Sequence, residues 1–232
     1  MGGHLNINHL LFLGHGALWT IGLSLIALIG GGIAGFVIAL ARISPLRSVR
    51  LLSAAYVQLI QGTPLLVILF LGYFGLAAIG LKMSPLAAAG ASLTLYVSAY
   101  LGEIWRGSIQ SVPKPQWEAA EGLALSRTQR MLKVILPQAI RIATPPTVGF
   151  MVQIIKNTSL ASVVGFVELA RSGQIINNSI FEPFIVYLVI AALYFALCYP
   201  LSVWSRRLER RAGSASAAPT SLTSHEPILT QP

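Results

Sequence analysis

Five long apolar runs, roughly Ala17–Ala41, Pro64–Gly80, Pro85–Trp105, Ile142–Leu169 and Phe184–Trp204, constrain this chain more than any other feature. Each is close to the ~20 residues that a helix needs to cross the hydrocarbon of a bilayer. Only 10% of the 232 residues are charged and the mean hydropathy is +0.72. A soluble domain carries about 25% charged residues, so this chain cannot cover a water-facing surface. The expected fold is one all-α membrane domain of about five transmembrane helices. The fourth run is overlong and interrupted, so its ends are the least defined. Met1–Gly16 carries no Lys or Arg and the first run is too long for a good cleaved signal peptide. The first run is therefore read as a retained signal anchor.

The net charge of +9 is a topology signal and does not indicate a nucleic-acid surface. Arg42, Arg47 and Arg50 follow the first run, and Arg206, Arg207, Arg210 and Arg211 follow the fifth. Arg106, Lys114, Arg127, Arg130, Lys133 and Arg141 lie between the third and fourth. Only Lys82 and Arg171 fall in the opposite loops, and Lys156 lies within a run. Positive residues stay on the cytoplasmic side, so the N-terminus is expected outside and the C-terminus inside. The expected organisation is an external segment at 1–16, a membrane domain at 17–211, a cytoplasmic loop at about 106–141 and a disordered cytoplasmic tail at 212–232. That tail is rich in Ser, Ala, Thr and Pro.

Gly30, Gly31, Gly32 and Gly35 crowd the first run, where small residues let helices approach closely in lipid. QGTP at 61–64 closes an interfacial stretch from Ile43 to Thr63, with Pro64 suited to the first turn of the next helix. No internal repeat is evident, which weakens a secondary carrier built from inverted repeats.

The polar stretch EAAEGLALSRTQRMLKVILP at 118–137 reads as two short helices joined by a bend. Pro115 suits the start of the first, on which Trp117, Ala120 and Ala124 share a face at helical spacing. Gly122 weakens its end. Ser126 with Gln129 forms a capping box for the second, whose basic side is Arg127, Arg130 and Lys133. Pro137 disfavours a regular continuation. A connector whose charges merely face water and a surface that docks a partner are both compatible with this pattern. The Trp and small residues favour docking.

The same loop resembles the EAA loop of ABC importer permeases. Glu118-Ala119-Ala120 and Leu136-Pro137 fall in register, Val134 replaces the usual Ile, and Ala124 occupies the usual Gly position. QGTPLLVILF at 61–70, AYLGEIWRGSIQSVP at 99–113, LPQAIR at 136–141, KNTSLAS at 156–162 and GALWTIGLS at 16–24 are similar to the polar amino acid branch of these permeases. Gln61 stands where that branch usually has Arg, and Pro115 where Gly is common. The resemblance implies a core of two permease subunits, as a homo- or heterodimer, with two ABC ATPase subunits and an external solute-binding protein. It implies that Glu118 anchors the loop on the ATPase by charged hydrogen bonds and that Trp117, Ala119 and Ala120 pack there. Gly122 and Pro137 would shape its bend and exit, and ATP-driven closure would produce alternating access for an amino acid.

The chain has no phosphate-cradling G-x-x-x-x-G-K-[ST], no Asp and a single cysteine, Cys198. His4, His9, His15 and His225 lie near the termini. No catalytic site, metal or cofactor is expected, and ATP hydrolysis is assigned to a partner chain. Gly149, Gln153, Lys156 and Asn157 recur on one helical side, followed by Thr158 and Ser159. Lys156 is ~14 residues, about 21 Å, beyond Ile142. A cation at that depth costs ~3 kcal/mol or more and must face protein, water or substrate. Two readings stand level: a stripe lining the substrate path, with Lys156 attracting a carboxylate, or a cation satisfying broken backbone or another subunit. Tyr96, Tyr100 and Glu103 share a side of the third run. For Glu103 an ion pair with Arg106 is favoured over a gate or a substrate contact. Glu168 and Glu182 flank an outer loop, where solvated ends are favoured over contacts with the binding protein. Two other classes remain alternatives: a self-sufficient ion-driven carrier, and a membrane scaffold recruiting a soluble partner.

Overall fold

The computed structural model describes residues 5–216, with side chains through Arg210. Helix α1, Ile7–Arg42, begins ten residues before the predicted boundary because Asn6 caps it. The His9 N–H donates to Asn6 Oδ1 at 3.0 Å, and the Asn6 N–H returns to His9 Nδ1 at 3.3 Å. Thirty-six residues reach about 54 Å, well beyond the ~30 Å hydrocarbon thickness.

Helix α2, Arg47–Gln61, meets α3, residues 65–78, at 99° across Gly62–Pro64. Pro64 supplies no N–H to a continuing ladder and instead caps α3. A wide π-turn, Leu71–Gly75, interrupts α3. The run Pro64–Gly80 thus becomes a helix of about 21 Å, too short to cross alone. Helix α4, Pro85–Gln110, follows Ser84, whose hydroxyl accepts the Ala87 N–H at 3.2 Å. Then come α5, Lys114–Gly122, and α6, residues 127–157, with a π-turn at Arg130–Ile135. A 3-10 turn, Thr158–Val164, prolongs α6; α7 is Leu169–Ile180 and α8 is Pro183–Ser216. The last helix therefore includes residues 212–216, which the sequence assigned to a tail. The remainder of that predicted tail lies outside the described residues.

Three described helices are long and apolar enough to cross a membrane: Ile7–Arg42, Arg127–Val164 and Pro183–Arg210. The bent α2–α3 pair makes a fourth if it is one span. The third predicted run falls on α4, whose 26 residues are sufficient in length but more polar. Its polarity has a packing cause. Helix α4 is central, against α1, α2, α3 and α6, and its Ser92 and Ser98 are buried among those neighbours. Leu23, Leu69, Leu93, Val97 and Ile154 meet in the main core, all fully buried. The opposite flank of α1 leaves Ile29, Ile33 and Val37 exposed, as a lipid-facing surface requires.

Glycines set the closest helix contact. A Cβ on Gly31 would strike the Val97 side chain. One on Gly35 would lie 3.0 Å from the Ser98 carbonyl oxygen and 3.2 Å from the Gly102 nitrogen. The packing role expected for this cluster is thus seen between α1 and α4.

Candidate functional site

The loop between α4 and α6 is folded. Helix α5 begins at Lys114 after Pro113 and ends in a Schellman turn. The Leu125 N–H reaches the Ala120 carbonyl at 3.3 Å and the Ala124 N–H reaches that of Glu121 at 2.8 Å. This closure puts Ala124 in the left-handed region, φ 54°. The bend therefore sits at Ala124, in the register where the resembling loops carry Gly. It has not moved to Gly122, which is the last residue of α5. Ala124 consequently leaves the face it was expected to share with Trp117 and Ala120.

Ser126 then caps α6 as expected: its hydroxyl accepts the Gln129 N–H, and Gln129 Oε1 accepts the Ser126 N–H at 3.0 Å. Arg130 Nη1 donates to Glu121 Oε2 at 3.2 Å, and Gln138 Nε2 to Gln116 Oε1 at 3.3 Å, tying α5 to α6. Pro137 does not end the helix. The π-turn just before it absorbs the missing N–H and the ring, and the chain continues as regular helix from Leu136.

Trp117 packs half-buried on Ile109, Val112, Ile135 and Ala139, and Ala120 is 2% exposed. Both residues hold the loop against its own chain. Glu118 and Ala119 face outward, and the Glu118 carboxylate makes no hydrogen bond or ion pair among the described residues. Leu123, 75% exposed, forms the tip, and Leu136 is half-buried.

The polar stripe of α6 divides in two. Phe150 stacks on Tyr100, ring centroids 5.3 Å apart, and Tyr100 lies 4.4 Å from Tyr96. One turn on, Gln153 Nε2 donates to Asn157 Oδ1 at 3.0 Å, giving α4 and α6 an aromatic and amide surface. Gly149 and Lys156 turn instead toward α8: a Cβ on Gly149 would lie 3.3 Å from Ser205 Oγ, and Lys156 shares a cavity wall with Tyr194 and Cys198. Thr158 is fully buried with its hydroxyl on the Ile155 carbonyl, and the Ser159 hydroxyl bonds the Lys156 carbonyl at 2.7 Å. Both hydroxyls are taken up by backbone carbonyls where the chain passes from α to 3-10 geometry. The fourth run ends as a helix at Val164, before Gly165 at φ 87°.

Glu103 forms the ion pair with Arg106, and a second with Arg42 of α1 that sequence reasoning did not foresee. Both its carboxylate oxygens are occupied by guanidinium groups. Glu168 overturns the expectation of a solvated loop end, because it is completely buried. As the N-cap of α7 it accepts the Ala170 and Arg171 N–H groups at 2.9 and 2.8 Å. Tyr194 of α8 donates to Oε2 at 2.7 Å and Thr20 of α1 at 3.4 Å. One carboxylate thereby joins three helices. Its sequence signal was weak: Glu is not among the preferred N-cap residues, and Thr20 and Tyr194 are remote in the chain.

Residues 27–214 match the family described as "Binding-protein-dependent transport system inner membrane component". The chain is 39% identical over 193 residues to the probable amino-acid ABC transporter permease protein YckA of Bacillus subtilis (strain 168), covering 83% of this chain and 85% of that protein. It is 39% identical over 188 residues to the probable glutamine ABC transporter permease protein GlnM of the same organism, covering 81% and 87%. A crystal structure of an amino acid ABC transporter with histidines superposes with TM-score 0.85 at 32% identity, over 90% of this chain and 100% of that one. The inward-facing MetNI methionine ABC transporter shares the fold alone, with TM-score 0.70 at 16% identity over 90% and 99%.

Proposed function

Since the chain belongs to the binding-protein-dependent transport system inner membrane components, we propose that it imports amino acids by alternating access, driven by a separate ABC ATPase. The assembly pairs two permease subunits with two ATPase subunits and receives substrate from an external binding protein. Its place is the bacterial inner (plasma) membrane, with the N-terminus outside and the 106–141 loop and C-terminus in the cytoplasm. The distribution of Lys and Arg supports that orientation. Family membership does not favour an ion-driven carrier or a scaffold.

One observation carries the coupling role: α5 presents an unengaged Glu118 on a loop braced to α6. Helix α6 and its 3-10 extension form one continuous 38-residue element from that loop to the Gln153–Asn157 surface. A displacement imposed on α5 reaches the membrane interior through this element, because the Arg130–Glu121 and Gln138–Gln116 contacts make α5 part of it. Glu118 supplies the charged hydrogen bonds to the ATPase, with Ala119 beside it. Trp117, Ala120, Ala124, Leu136 and Pro137 shape and support this surface. Gln153, Asn157 and Tyr100 line the path, while Glu103 braces its cytoplasmic end.

The test is a tagged pull-down from native membranes in mild detergent, paired with uptake. The wild-type chain should recover a nucleotide-binding ATPase, and Glu118→Lys should abolish that recovery and transport together. Full transport by Glu118→Lys would remove the coupling assignment. Recovery of this chain alone, with gradient-driven uptake after reconstitution, would overturn the importer.

A further inference from the structure

A groove of about 630 Å³ follows α6 from Leu132 to Met151, with walls from α1, α4 and α8. Trp105 of α4 joins two of its sides: the indole meets Phe36 of α1 edge-on, ring centroids 6.4 Å apart, and its N–H donates to Thr147 Oγ1 of α6 at 3.0 Å. No charged residue lines the groove. Its hydroxyls are engaged, Thr147 by that indole and Thr144 on the Ile140 carbonyl at 2.6 Å. A hydrated ligand would lose water there without replacement, whereas a hydrocarbon would lose nothing.

The groove opens onto the lipid-facing flank of α1. Phe36 and Leu40 of its wall continue the exposed stripe of Ile29, Ile33 and Val37 at three- and four-residue spacing. Spread over roughly 28 Å of α6, the volume gives a cross-section of roughly 22 Å², whereas a helix ~10 Å across needs roughly 80 Å². Such a slot admits one hydrocarbon chain and not a neighbouring helix. Two cations stand beside its cytoplasmic half: Arg141 follows Ile140, and Arg207 lies one turn past Trp204. Both are exposed, and neither makes a hydrogen bond or ion pair among the described residues. The nearby acids are committed elsewhere, Glu103 to Arg42 and Arg106, and Glu209 to the Ser205 hydroxyl at 3.2 Å.

We propose that this groove seats an acyl chain of an anionic phospholipid, with the phosphate held by Arg141 and Arg207. Guanidinium groups match phosphate oxygens in geometry as well as charge, and the cytoplasmic leaflet is the anionic one. The choice of leaflet rests on the proposed orientation; the lipid site itself does not. The bound chain lies against α6 between the coupling loop and the Gln153–Asn157 surface, and touches α1, α4 and α8 as well.

The test uses the full chain, purified with its native partners and reconstituted in phosphatidylcholine bilayers. Phosphatidylglycerol or phosphatidylcholine carrying a diazirine on one acyl chain is added, and adducts are mapped by mass spectrometry after illumination. Labelling of the lipid-facing Ile29 and Ile33 serves as the control for folding and insertion. Adducts on the 140–151 stretch, normalised to that control, should favour phosphatidylglycerol about tenfold or more, as two cations at a membrane surface would give. Arg141→Gln together with Arg207→Gln should bring them down to the phosphatidylcholine level. Ala143→Phe, which fills the groove, should remove the 140–151 adducts of both lipids and leave the control unchanged. Equal normalised labelling by the two lipids in the wild type would overturn the anionic site. Control labelling without any adduct at 140–151 would overturn the groove as a lipid seat. A disulfide between two copies carrying Ile140→Cys and Cys198→Ala would overturn it in favour of a contact with a second copy of this chain.

Discussion

Ala124 and Glu168 show how strongly single positions can be determined by surroundings. A non-glycine residue in the left-handed region costs roughly 1–2 kcal/mol, so Ala124→Gly should stabilise the loop by about 1 kcal/mol. Slower amide exchange at Leu125 and Ser126 would report it, and Ala124→Val should act in the opposite direction. Glu168→Ala removes a helix cap and strands the buried Tyr194 hydroxyl, a loss of about 3 kcal/mol. Thermal unfolding of the purified complex would register this, and Glu168→Gln, which keeps an acceptor oxygen, should recover part of it. The Ser126–Gln129 cap was legible because both partners sit within one turn. Glu168 was not, because its burial depends on Thr20 and Tyr194, 148 and 26 residues away.

Helices owe their ends to local chemistry and their contacts to complementary surfaces. The capped starts of α1, α4 and α6 and the break at Gly62–Pro64 follow from residues adjacent in sequence. The tight α1–α4 contact follows from small residues, which are recognisable, meeting a partner face, which is not. Gly35→Val should push α4 away and cost about 1–3 kcal/mol, as overpacking does. A lowered unfolding temperature with unchanged helix content by circular dichroism would confirm it. Pro137 illustrates the opposite case. Its local preference to interrupt a helix is met by widening one turn, since packing of Ile135 and Ala139 holds the axis on both sides.

The molecule as a whole is a membrane bundle with one folded loop at its cytoplasmic end in the proposed topology. A cysteine placed at the loop tip by Leu123→Cys, in a Cys198→Ala background, should react with a membrane-impermeant maleimide in inside-out vesicles and remain unlabelled in intact cells. The reverse pattern would invert the proposed topology. Membrane residence, the approximate spans and the register of the loop were readable in the chain, because hydropathy, basic-residue bias and turn chemistry are local properties. Less accessible were the division of the α6 stripe between α4 and α8, the second arginine on Glu103, and the burial of Glu168 between three helices. Each depends on which helix faces which, and that is settled by long-range packing of the whole bundle.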